Sequence, residues 1–175
     1  MISKHFTAEL SGCTEKFICG NDYLDYFIKS NLALDEAIGK TYVYLTEDHK
    51  EIIGYYNIST GSLQGIDQST ETPLKLKIGG AVHINALAIS ENYQGKVISE
   101  ADTLYADFLL DDCIQRIRAL RKDVGFEFIT LASTRAGYKL YKRFGFDELE
   151  DDMRLAPEKD ELGCLPMYLS LDWEE

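Results

Sequence analysis

At 175 residues, 45% hydrophobic and 27% charged, the chain has the size and composition of one globular domain, 1–175, with a substantial core. A net charge of −12 argues against non-specific binding to nucleic acid. No apolar run approaches the roughly 18–20 residues that a membrane span needs. MISKHFTAEL lacks a signal-peptide core, so a cytoplasmic protein is expected. The four cysteines (Cys13, Cys19, Cys113, Cys164) form no CxxC pair, and His5, His49 and His83 supply no metal-ligand spacing. No metal is expected, and the thiols read as inert. Residues 147–175 hold eleven acidic and two basic side chains, so the acidity is mostly C-terminal, on what reads as a solvated loop around DELEDDM and PEKDEL.

In chain order, DYLDYFIKSN (22–31) places Leu24, Phe27 and Ile28 on one face of a short amphipathic helix, capped by Asn21 or Asp22. LALDEAIG (32–39) reads as a second short helix ending at Gly39. TYVYLTED (41–48) and EIIGYYNIST (51–60) are rich in β-branched and aromatic residues and read as a hairpin. GSLQGIDQSTETP (61–73) reads as a polar excursion and LKLKI (74–78) as a short strand. HINALAIS (83–90) is apolar enough for a strand buried on both faces.

A long helix is expected over roughly 100–122, with Ser99 and Asp102 as its capping box. FEFITLAST (126–134) follows as a strand, AGYKLYKRF (136–144) as a short helix closed by Gly145, FDEL as a strand, and LPMYLSLDW (165–173) as the last strand. The alternation predicts an α/β domain with a mixed sheet.

The order strand, Gln-Gly turn, long helix, strand and short helix, ending in LYKRFGF (140–146), resembles the GNAT family of acyl-CoA N-acyltransferases. LYKRFGF is similar to that family's (F/L)Y-x-x-x-GF signature. FICGNDYLDYFIKSN, TYVYL and IIGYYNIS resemble one branch in particular, which includes the acetyltransferase toxins of bacterial toxin–antitoxin pairs. The likeness runs from about residue 15 to 171. It implies a mostly antiparallel mixed sheet, splayed between two central parallel strands (HINALAIS and FEFITLAST) and flanked by helices.

The resemblance also implies acetyl-CoA as cosubstrate, with an amine acceptor. Leu87, Ala88 and Ile89 would pair through their backbone with the pantetheine. A plain core strand fits the same residues. The family's pyrophosphate loop, (R/Q)-x-x-G-x-(G/A), maps onto Gln94, Gly95, Lys96, Val97 and Ser99, with Gln94 first and Val97 and Ser99 where glycines are expected. A valine there obstructs close approach of phosphate to backbone N–H groups. The family's Leu-Leu pair appears late, at Leu109-Leu110, through either a loop insertion or an early helix start.

Tyr141 stands where the family places the tyrosine that protonates the leaving thiolate. Its phenol, with an ordinary pKa near 10, keeps its proton at neutral pH. Packing against the sheet is the competing role, since Gly137, Leu140, Tyr141 and Phe144 share one helix face. Thr134 falls where relatives carry a cofactor-binding asparagine, or else caps the helix. Arg135, Lys139, Lys142 and Arg143 form a basic stripe that meets the CoA 3′-phosphate or simply faces water. His83 is a candidate general base, water being the alternative.

Three readings therefore stand: acetylation of a small-molecule or protein amine, toxin-type acetylation of aminoacyl-tRNA, and a non-catalytic GNAT-fold module with an altered CoA loop. A ribbon-helix-helix antitoxin is a partner by resemblance. A homodimer through the C-terminal strand is compatible with the sequence, and no membrane partner is expected.

Overall fold

Two strands of sixteen residues each, Ile52–Asp67 and Leu74–Ile89, organise the molecule. The computed structural model describes residues 2–67, 69, 71–72, 74–157 and 163–171. The chain forms two compact units: residues up to Ser59 with Asn85–Cys113, and Thr60–Ile84 with the residues from Ile114 onward.

In the first unit, β1 (Ile2–His5) pairs antiparallel with β2 (Lys40–Leu45). β2 pairs antiparallel with the first half of β3 (Ile52–Asp67), which neighbours β4 (Leu74–Ile89). Val43, Leu45, Ile52 and Tyr55 meet Phe6, Phe17, Phe27 and Ile28 in one core. Helix α1 (Asp22–Lys29) starts where the sequence predicts, because the Asn21 side chain accepts from the Leu24 N–H at 3.1 Å. Phe27 stacks on Tyr55 with ring centroids 6.1 Å apart, and the Tyr55 hydroxyl donates to the Leu24 carbonyl at 2.7 Å. Full burial of such a phenylalanine is worth about 1.5–3 kcal/mol.

The second helix expected over 32–39 is only a 3₁₀ turn, Asn31–Leu34. Asp35 ends it in an extended conformation, with its carboxylate accepting from the Ala37 N–H at 2.9 Å. That local bond competes with helix continuation.

The long helix, α2, spans Tyr105–Leu120 rather than starting near residue 100. Ser99 and Asp102 do not cap it. They lie in the turn of a small hairpin formed by β5 (Val97–Ile98) and β6 (Thr103–Leu104). Asp102 adopts φ +48°, which a short polar side chain tolerates and a hairpin turn needs.

In the second unit, β7 (Phe128–Ser133) runs parallel to β4, from Ala81↔Phe128 to Ile84↔Leu131. On its other side β7 pairs antiparallel with β10 (Leu165–Ser170) along its whole length. β8 (Asp147–Glu148) joins β10 at the edge, and β9 (Met153–Ala156) pairs with the second half of β3. The polar segment 61–67 is thus strand rather than excursion, and LKLKI is continuous with HINALAIS. Within 61–73, residues 68, 70 and 73 lie outside the described residues, as do 158–162 of the acidic C-terminal stretch and 172–173 of the last predicted strand.

The β4–β7 ladder stops at Ile84↔Leu131, although β7 continues to Ser133, held there by β10 alone. Among the described residues the sheet is therefore mixed and mostly antiparallel, with β4 and β7 paired in parallel up to Ile84↔Leu131 and helices flanking the strands. No helix among the described residues is long and apolar enough to cross a membrane.

Candidate functional site

In the first unit the candidate cosubstrate residues lie at the end of β4 and in the following loop. Ala88 and Ile89 are buried and Leu87 is half-buried. The strand end sits tightly on β3: a Cβ added at Gly54 would lie 2.9 Å from the Ala88 carbonyl oxygen and 2.7 Å from Ile89 Cδ1. The chain then turns through a 3₁₀ segment, Glu91–Tyr93, to Gln94.

Gln94 does not present its side chain to solvent as a loose polar group. Its Nε2 donates to the carbonyls of Cys19 and Ile89, both at 2.8 Å. Its backbone N–H donates to Ser90 at 3.2 Å, and the Lys96 N–H donates to Tyr93 at 3.2 Å. Two backbone donors expected for a phosphate are thus engaged within the turn. Gly95 is exposed, with φ +67°.

Val97 and Ser99, the positions where the resemblance expects glycines, lie in the small hairpin. Val97 is 48% exposed and pairs with Leu104, and Ser99 lies in the hairpin turn. The Tyr105 N–H donates to the Lys96 carbonyl at 3.2 Å, so residues 97–104 leave the path and return to it. Of the two explanations for the late Leu-Leu pair, an early helix start does not hold, since α2 begins at Tyr105. Leu109 and Leu110 lie in the second turn of α2 and are fully buried. In the first turn of α2 the Tyr105 N–H is taken by Lys96, and the N–H groups of the next three residues have no intrahelical acceptor and stand at the positive end of the helix dipole, with Asp107 opposing an anion there.

In the second unit, Tyr141 lies on helix α3 (Tyr138–Arg143), buried, with its ring edge-on to Phe146 at 5.7 Å. The backbone N–H groups of Phe144 and Phe146 both donate to its carbonyl. A Cβ at Gly137 would fall 2.9 Å from Tyr141 Cε2, so the ring uses the room a glycine leaves. Thr134 closes the turn into α3: its hydroxyl accepts from the Gly137 N–H at 3.2 Å. His83 is buried, its Nδ1 2.9 Å from the Thr130 hydroxyl of the neighbouring parallel strand.

The basic stripe on α3 is partly neutralised locally. Lys142 pairs with Asp147 at 2.8 Å, and that bond holds its pKa above the ordinary lysine range. The Tyr138 hydroxyl donates to Glu148 at 2.6 Å, which raises its pKa. Arg135 and Lys139 are exposed.

Two features escape a reading of spacing. The Cys19 N–H donates to Asp25 of α1 at 2.7 Å, and burial, with Asp25 beside it, pushes the Cys19 thiol up to about 12. In β4, the half-buried Asn85 donates to the buried Asn57 at 2.7 Å, and Asn57 in turn donates to Thr41 at 2.9 Å, linking three strands of the first unit. The Phe-x-Cys-Gly and Asn-Ala-Leu strings mark both places in the sequence, but not their partners.

No family model matches the chain. Its fold is similar to that of a solved bacterial toxin (TM-score 0.75, 20% identity, 97% of this chain and 89% of the other). It is also similar to AtaTR bound with acetyl-CoA (TM-score 0.73, 17% identity, 97% and 92%). A third similar structure is a tyrosine-to-phenylalanine mutant of KacT (TM-score 0.69, 20% identity, 97% and 94%). The architecture is the GNAT fold in the form these toxins share.

Proposed function

We propose that the protein is an N-acetyltransferase that moves an acetyl group from acetyl-CoA to a primary amine. The observation that carries this reading is the fold shared over 97% of the chain with a toxin assembly solved with acetyl-CoA. It is supported by the parallel pairing of β4 with β7 up to Ile84↔Leu131. Leu87 to Ile89 take the role of the added-strand partner of pantetheine. Gly95 and the first turn of α2 take the pyrophosphate, in place of Val97 and Ser99. Backbone amides and a helix terminus suit a phosphate because they bring donors and a positive partial charge together.

In the reaction the amine nitrogen attacks the thioester carbonyl, forming the C–N bond, and the C–S bond breaks. The electron pair leaves on sulfur, and the Tyr141 hydroxyl gives its proton to that thiolate. Water takes the proton released by the amine and returns one to the phenolate. The burial of His83 against Thr130 favours a role in the sheet rather than in proton transfer. Thr134 acts as the turn closure it forms in the fold.

A second reading concerns the acceptor. The solved relatives are toxins, one of them seen with the C-terminus of its antitoxin. An antitoxin partner follows from that likeness, and an aminoacyl-tRNA acceptor from the resemblance of the sequence to the toxin branch. The net charge of −12 favours a small or protein amine instead.

Calorimetric titration of acetyl-CoA, followed by thiol-release assays with small amines, peptide N-termini and aminoacyl-tRNA, tests the reading. Wild type is expected to bind acetyl-CoA at micromolar concentration and to release thiol with one acceptor class. Tyr141→Phe should bind equally well and lose roughly 10²-fold in kcat, the scale of a general acid. Absence of acetyl-CoA binding by wild type would overturn the reading.

A further inference from the structure

From the paired hydrogen bonds of Gln94 we infer that this residue is a positioning device. It couples the acetyl-CoA strand to helix α1 on the N-terminal side. The inference rests on the acetyltransferase reading above and goes beyond it by assigning a route between two parts of the first unit. Four contacts define the route. Asp25, on α1, accepts from the Cys19 N–H at 2.7 Å. The Cys19 carbonyl accepts from Gln94 Nε2 at 2.8 Å. The same nitrogen donates to the Ile89 carbonyl at 2.8 Å. Alongside them, the Glu91 N–H donates to the Ile18 carbonyl at 2.8 Å.

The chemistry of the amide matters here. Its NH₂ group carries two donors, and both are used on carbonyls from segments 70 residues apart, Cys19 and Ile89. The Cys19–Gly20 turn is half-buried at Cys19, which packs against the core that holds Ala86 and Ala88 of β4, and Gly20 has φ +85°. A ligand that pairs with the backbone of Leu87 to Ile89 restrains the strand end, and so restrains the carbonyl that Gln94 holds. Through Cys19 and Asp25 the restraint reaches α1, which displays Tyr23 and Tyr26 at 57% and 62% exposure. Coupling of this kind is reciprocal, so a ligand of α1 whose affinity acetyl-CoA raises would tighten acetyl-CoA by the same factor. Two partly exposed hydrogen bonds set its scale at about five- to tenfold in affinity.

Amide hydrogen exchange on the whole protein, with and without acetyl-CoA, tests the route at peptides covering residues 18–26. In wild type the cosubstrate should slow exchange there several-fold. Gln94→Ala and Gln94→Glu, the second keeping side-chain length but offering only acceptors, should lose that protection when each is held at an acetyl-CoA concentration that calorimetry shows to saturate it. Gln94→Arg, whose guanidinium can donate to both carbonyls, should restore it. Protection that persists in both loss variants would overturn the coupling, as would its absence in a wild type that binds. If Gln94→Ala does not fold, Gln94→Glu against Gln94→Arg decides alone. A wild type that binds no acetyl-CoA would remove the acetyltransferase reading and this inference together, and the calorimeter separates that outcome from the others.

Discussion

The Tyr105 N–H meets the Lys96 carbonyl at 3.2 Å, and this one bond closes an eight-residue excursion between a turn and a helix. Val97 and Ser99, which the resemblance sets at glycine positions of the phosphate loop, lie within the excursion and ahead of α2. Substituting Val97→Gly and Ser99→Gly should therefore leave acetyl-CoA affinity within about threefold, since neither side chain stands at the helix N-terminus. Replacing residues 97–104 with Gly-Gly should likewise preserve binding, because the flanking residues already lie within hydrogen-bond distance. Calorimetric titration of both variants checks this, and a tenfold gain from the glycine pair would sink it.

Gly137→Ala sets two effects against each other. An alanine in this right-handed conformation reduces unfolded-chain entropy, worth about 0.4–1 kcal/mol. The new Cβ would also sit 2.9 Å from the Tyr141 ring and force it aside. Thermal stability should change by no more than about 1 kcal/mol, while acetyl transfer falls at least about tenfold, as for a misplaced catalytic group. Combined with Tyr141→Phe it should cost nothing further in kcat, since it acts through that hydroxyl.

Gly54→Ala tests the strand contact beneath Ala88 and Ile89, the proposed cosubstrate residues. The Cβ would meet the Ala88 carbonyl oxygen at 2.9 Å, and backbone cannot swing away as a side chain can. Overpacking of this kind costs about 1–3 kcal/mol. Urea unfolding should show a lower midpoint at unchanged slope, and an unchanged midpoint would mean that β3 and β4 adjust freely.

The Cys19 thiol, pushed up to about 12 by burial and the nearby Asp25 carboxylate, gives a pH signature. In the unfolded chain an ordinary thiol ionises near pH 8.5, whereas in the folded protein it stays protonated. The folded state then binds the extra proton, so this contribution is intact below about pH 8.5 and is lost as pH rises toward 12. Urea midpoints between pH 8 and 10.5 should fall more steeply for wild type than for Cys19→Ala. Iodoacetamide at pH 8 should label Cys19 slowly until denaturant is added.

Much of the framework is written locally. Asn21 lies three residues before Leu24, and that spacing alone caps α1. The apolar runs in HINALAIS and FEFITLAST form strands because they can bury both faces, and the helix between them makes the parallel pairing of β4 with β7 accessible. LYKRFGF carries Tyr141 and the Gly145 turn in one string, so the candidate acid is legible without coordinates.

Tertiary structure decided what local pattern leaves degenerate. Ser99 and Asp102 have the spacing of a cap and equally that of a hairpin turn, and strand pairing across Val97 and Leu104 chose the turn. Polar 61–67 became strand because β9, some ninety residues on, supplied its hydrogen bonds. Gln94 reads as a phosphate-loop residue from its neighbours in sequence, but its amide is held by Cys19, 75 positions away. Spacing reports which side chains share a face, and a face has no meaning until the fold supplies what lies against it.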